Sequence, residues 1–169
     1  MRKSSWIVLG IGMLLGIGLG FAYLLSHTGP ENLTEADAVK MINRMQEAAT
    51  HKDVGTIMSY ISSTSDTKIT NLNTDQLRLM LAHALRSANH VRPDVSHIAF
   101  HGGLGEASVD FDLIVFNEDK NMSSKDYEGH ITLNLRRIDV PHLLGLYQTK
   151  EWRVVGGSTT GPDPASWLE

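Results

Sequence analysis

Residues 6–25, WIVLGIGMLLGIGLGFAYLL, carry no charge and nothing more polar than glycine or one tyrosine near the end, and they constrain everything that follows. At about 1.5 Å of rise per residue, a helix of this length crosses the roughly 30 Å hydrocarbon core of a bilayer. Arg2 and Lys3 precede the stretch, and the next fixed charge is Glu31. That asymmetry predicts residues 1–5 in the cytoplasm, 6–25 as a transmembrane helix, and all that follows on the outer side of the cytoplasmic membrane. A cleaved signal peptide, leaving a secreted domain, is the alternative. Its apolar region usually runs about 7–15 residues. The nearest cleavage-like triplet, Ser26-His27-Thr28, is a poor match to A-x-A. The expectation is therefore an uncleaved, single-pass anchor. Lipoprotein processing is excluded, because the chain has no cysteine.

Within this stretch Gly12, Gly16 and Gly20 repeat at four-residue spacing and share one helix face. Small residues so placed let two membrane helices approach backbone to backbone. The competing account is that glycine is simply common in membrane helices.

Of the 143 residues after Ser26, 19 are acidic and 13 basic, a net charge of −6. So acidic a domain is ill-suited to nucleic acid or anionic lipid, which call for excess Lys and Arg. Without cysteine there are no disulfides, thiolate nucleophiles or cysteine-ligated metals, so packing alone must hold the domain.

Residues 26–33, with Gly29-Pro30, read as a short spacer. Thr34 opens a first helix, with Glu35 and Asp37 in its first turn and Val39, Ile42, Met45 and Ala49 as an apolar stripe. Asp53 caps a shorter second helix. Residues 62–73 are turn-rich, with a short extended piece at 68–70. Asn73 or Thr74 caps a third helix that carries Leu77, Leu81, Ala84, Leu85 and Ala88 and is expected to end at Arg92-Pro93.

From Val95 the period becomes two. Residues 95–101 form a strand, 102–105 a glycine-rich hairpin turn, and Ala107, Val109, Phe111, Leu113 and Val115 the buried face of a long strand. Residues 117–126 read as a polar loop, and Ile131, Leu133 and Leu135 as the next inward set. Residues 140–147 are an apolar excursion that caps the domain or meets a partner, 152–155 a last strand, and 159–169 a flexible tail.

Helices followed by an antiparallel meander predict an α+β domain over residues 34–158, about three helices packed on a bent sheet. This order, with the ending Glu151-Trp152-Arg153-Val154-Val155, resembles the nuclear transport factor 2-like superfamily of cone-shaped domains, which includes ketosteroid isomerases and polyketide cyclases. The resemblance implies an interior pocket. Candidate lining residues are Tyr60, at the end of the second helix where related enzymes place polar groups, together with His83, Phe111, Leu133 and Trp152.

No catalytic residue, cofactor or metal site is readable. Asp110 and Asp112 alternate with the inward residues and therefore face solvent. His97 and His101 stand roughly 13 Å apart along a strand, too far to share one zinc. His83 and His90 lie seven apart on one helix, and Gly102-Gly103-Leu104-Gly105 precedes a strand, not the helix N-terminus of a phosphate site. Ser59, Ser62 and Ser63 lack a nucleophile-elbow setting. Ile114, Phe116 and Ile138 add apolar area to the outer sheet face, where a homodimer or protein partner can dock.

The first expectation is thus a membrane-anchored, non-enzymatic binding or assembly module. Type IV secretion assembly subunits combine a span with such a domain in a similar way. The second is a small-molecule-binding protein or cofactor-free isomerase- or cyclase-like enzyme that uses the apolar interior. A cavity with converging polar groups would separate the two.

Overall fold

A computed structural model describes residues 32–64, 66–119, 122–142 and 147–161. The anchor expected at 6–25, with Gly12, Gly16 and Gly20, lies outside the described residues. Among these, no helix is long and apolar enough to cross a membrane.

The described elements are α1 (Glu35–Thr50), α2 (Val54–Ser59), β1 (Lys68–Ile69), α3 (Thr74–Ser87), β2 (His90–Gly102), β3 (Glu106–Asp119), β4 (Met122–His142) and β5 (Tyr147–Thr159). The strands form one sheet in the order β1-β5-β4-β3-β2. β2 with β3 and β3 with β4 run antiparallel, whereas Lys68 and Ile69 lie parallel to Gly156 and Gly157 of β5. The sheet is therefore mixed, not wholly antiparallel as expected. Parallel neighbours need a long connection, and here α3 and three strands separate the pair. Glu31–Arg137 with Trp152–Glu169 make one unit, which holds the helices and the core; Ile138–Glu151, the rest of β4 and β5, belongs to a second.

Each helix starts where its cap is encoded. Thr34 accepts the Asp37 amide, Asp53 accepts the Thr56 amide and hydroxyl, and Asn73 forms a reciprocal capping box with Gln76. These bonds from Thr56 hold the Asp53 carboxyl below its ordinary range. Helix α3 ends sooner than expected, at Ser87, because Ala88 is already extended. Arg92 and Pro93 instead sit inside β2, opposite Phe116 and Val115. Proline is tolerated there because β2 is an edge strand. The Pro93 carbonyl accepts from Gln46 Nε2 at 2.9 Å, which ties α1 to this edge.

The alternation of β3 comes out as expected. Val109 and Phe111 are buried, and across from them lie Leu133 and Ile131 of β4. The expected polar loop at 117–126 is mostly strand, since Asn117 pairs with Ser124 and Glu118 with Ser123. Residues beyond the core have no apolar face to show, so alternation could not reveal them. Likewise Val140 and Pro141 continue β4, and the last strand runs from Tyr147 to Thr159.

Candidate functional site

A cavity of about 510 Å³ lies between the helices and the sheet within the larger unit. Helix α1 contributes Ile42, Met45, Gln46 and Ala49, α2 contributes Ile57, α3 contributes Leu81, His83, Ala84, Leu85 and Ser87, and Ala88 follows as the C-cap of α3. From the sheet come Val91, Pro93 and Val95 of β2, Phe111, Leu113, Val115, Phe116 and Asn117 of β3, and Asp126 and Leu133 of β4. Most of the wall is carbon. The polar groups Gln46, Ser87, Asn117 and Asp126 all make local bonds. Gln46 reaches Pro93, Ser87 donates to the Ala84 carbonyl, Asn117 accepts the Asn89 amide, and Asp126 accepts from Ser124. His83, Ser87 and Asp126 are exposed and mark the mouth.

Of the residues named from sequence, His83, Phe111 and Leu133 stand together in this lining. Tyr60 and Trp152 do not. Tyr60 is the C-cap of α2, with its carbonyl bonded to the Val154 amide at 2.8 Å, and its half-buried ring packs on the core. Trp152 also packs against the core, with its indole N–H buried and without a hydrogen-bond partner among the described residues. Phe116, expected on the outer face, lines the cavity instead. The register shifts between Val115 and Phe116. The guanidinium of Arg92 lies 4.5 Å from the centre of the Phe116 ring. Ser62 is buried, with its hydroxyl 2.8 Å from that of Thr64, which in turn touches Thr67, a structural string of hydroxyls.

The outer sheet face holds a constellation that spacing along the sequence did not reveal. Asp112 bonds His130 Nδ1 at 2.8 Å through one oxygen and His97 Nδ1 at 2.9 Å through the other. Asp110 accepts from Thr132 at 2.6 Å, with His101 and His130 at 3.6 and 3.9 Å. A bulge makes this possible. The β2 register shifts between Ser96 and Ala99, and His97 takes a φ of 52°. The expectation of two simply solvated carboxylates is corrected accordingly. No group of three or more His, Asp or Glu among the described residues is placed to hold a metal ion.

The His130 and His97 bonds keep the Asp112 carboxyl below its ordinary value of 3.8. A lowered carboxylate adds stability that is present above the ordinary value and is lost as pH falls through the lowered one. Acid unfolding followed by circular dichroism should therefore show Asp112→Asn flattening the profile below about pH 4. An unchanged acid limb would mean the cluster contributes nothing to folding.

No protein-family model matches the chain, and no curated protein matches it. Solved structures do. A function-unknown protein from Mycobacterium tuberculosis aligns with a TM-score of 0.58 at 11% identity, over 78% of this chain and 82% of its own. A protein from Novosphingobium aromaticivorans, provisionally named a scytalone dehydratase, gives 0.57 at 10% identity, over 75% and 84%. A nuclear transport factor 2-like superfamily protein from Salmonella enterica serovar Typhimurium gives 0.57 at 14% identity, over 75% and 89%. At such identities the likeness establishes fold alone: three helices on a five-stranded mixed sheet in the nuclear transport factor 2-like arrangement.

Proposed function

We propose that the chain is a membrane-tethered, non-enzymatic binding module whose cavity takes a small apolar ligand on the outer side of the cytoplasmic membrane. The cavity carries the binding half of this reading. Its volume of about 510 Å³ falls within the range of small-molecule sites. Its deeper wall, with Leu85, Val91, Phe111 and Leu133, presents no ionisable group. The uncharged stretch at 6–25 and the short spacer support the tether. A reporter active only outside the cytoplasm, fused after Glu169, should be active, with the full-length protein in the membrane fraction. A shorter soluble species beginning near Gly29 would instead mean a cleaved signal peptide. For the cavity, excess 2-naphthamide should raise the Tm of the full chain in detergent micelles by a few degrees. Ala84→Phe, which adds a ring to the lining, should abolish the rise. No rise in the wild type removes the binding reading.

Self-association through the span belongs to the same proposal. Gly16→Ile should abolish it in a membrane two-hybrid assay, and Leu15→Ile, off the glycine face, should preserve it. Equal behaviour would assign the glycines to composition.

A second reading, a cofactor-free isomerase- or cyclase-like enzyme, is favoured by one observation. An imidazole and a carboxylate, His83 and Asp126, both stand at the mouth. Turnover with proton transfer, lost in both His83→Gln and Asp126→Asn, would establish it over binding.

A further inference from the structure

We infer that Asp126 is the charge-selecting residue of this cavity, and that the ligand is an amphiphile whose polar head carries no negative charge. This rests on the binding reading and specifies its ligand. Asp126 is the extra residue of a bulge: Lys125 pairs with Phe116 and Tyr127 with Val115, so Asp126 has no partner on β3. An extra strand residue of this kind commonly re-aims a side chain beside a functional site. Its neighbour Lys125 pairs with Glu128, while Asp126 enters the cavity lining. Among the described residues it is the only carboxylate there, and none of those lining the wall is Lys or Arg.

Two cations near the lining, Arg92 and Lys52, have partners within the protein. Arg92 pairs with Glu118 at 2.6 Å and lies over Phe116, and Lys52 donates to the Ala88 carbonyl at 2.6 Å. An anionic head at the mouth would meet the charge of Asp126, with no lysine or arginine among the described lining residues to offset it and only the His83 imidazole beside it. A neutral or cationic head would find the carboxylate as an acceptor. A fatty acid or aryl carboxylate is therefore disfavoured against the amide, alcohol or amine of the same shape. Repulsion between unit charges some 6–8 Å apart, in a medium between water and protein interior, corresponds to about a five- to tenfold loss of affinity.

The test is calorimetric titration of the full chain in micelles at pH 8, with protein-free micelles as the blank. The probes share one ring system: 2-naphthamide, 2-(aminomethyl)naphthalene and 2-naphthoate. The amide and the amine should bind, and the naphthoate about five- to tenfold more weakly than the amide. Asp126→Asn should bring the naphthoate to parity and weaken the amine; because Asp126 is exposed, this exchange leaves the core intact. A wild type that binds naphthoate as tightly as the amide, or an amide-to-naphthoate ratio untouched by Asp126→Asn, overturns the charge selector while leaving the cavity reading standing. Silence from all three probes removes both.

Discussion

Phe111→Ala should lower the unfolding free energy by about 3–5 kcal/mol, read from urea denaturation of the full chain in detergent. The ring is 6% exposed and sits opposite Ile131 of β4. It belongs to the packed core, and it also lines the cavity. Truncation forfeits the burial of an aromatic side chain and enlarges a space the neighbours have already failed to close, so relaxation can recover little of the loss. The backbone of β3 is held on both sides, by β2 and by β4, and cannot move inward to compensate. Asp94→Ala, on the exposed outer face of β2, is the control and should leave the midpoint in place. A loss below about 1 kcal/mol for Phe111→Ala would mean that the ring rests loosely on the cavity wall and that the core ends short of it.

What could be read from the sequence was local. Thr34, Asp53 and Asn73 announce helices because a cap acts within three residues of itself. The alternation through Val109, Phe111 and Leu113 fixed a face of β3 because a slip by one residue would expose every one of them. The rest depended on partners. Arg92-Pro93 carries the same local signal whether it stops a helix or sits in an edge strand, and only the position of β2 in the sheet decides. The cluster around Asp112 requires a bulge at His97 and a register that sets His130 directly opposite. Asp126 was hidden for the same reason, since an extra residue in a ladder is visible only once both strands are aligned. Tyr60 and Trp152 show a different limit. Their apolar rings assign them to the core, but which side of the core a ring faces is settled by packing.

Gly129→Ala should destabilise the protein by about 1–3 kcal/mol, although alanine loses less backbone entropy than glycine on entering a strand. A Cβ built on Gly129 would lie 2.5 Å from the Tyr127 hydroxyl, 2.9 Å from its ring carbon and 2.9 Å from the Gly161 Cα. Two of these neighbours cannot yield cheaply. Tyr127 is 3% exposed, with its hydroxyl bonded to Thr159, and Gly161 is backbone, with its amide donated to Thr159 Oγ1 at 3.1 Å. The tyrosine ring covers the glycine, so the missing side chain on β4 leaves no gap, and the chain after β5 crosses where a Cβ would stand. Nearby, the Thr160 amide donates to the His130 carbonyl at 3.0 Å, so the segment cannot lift away without losing that bond. Thermal unfolding of Gly129→Ala, Tyr127→Ala and the double variant separates the two contacts. If the ring is the main obstacle, alanine at 129 costs much less once Tyr127 is truncated. If the Gly161 backbone is, the two losses add. A neutral or stabilising Gly129→Ala would mean that the crossing is looser than these distances require.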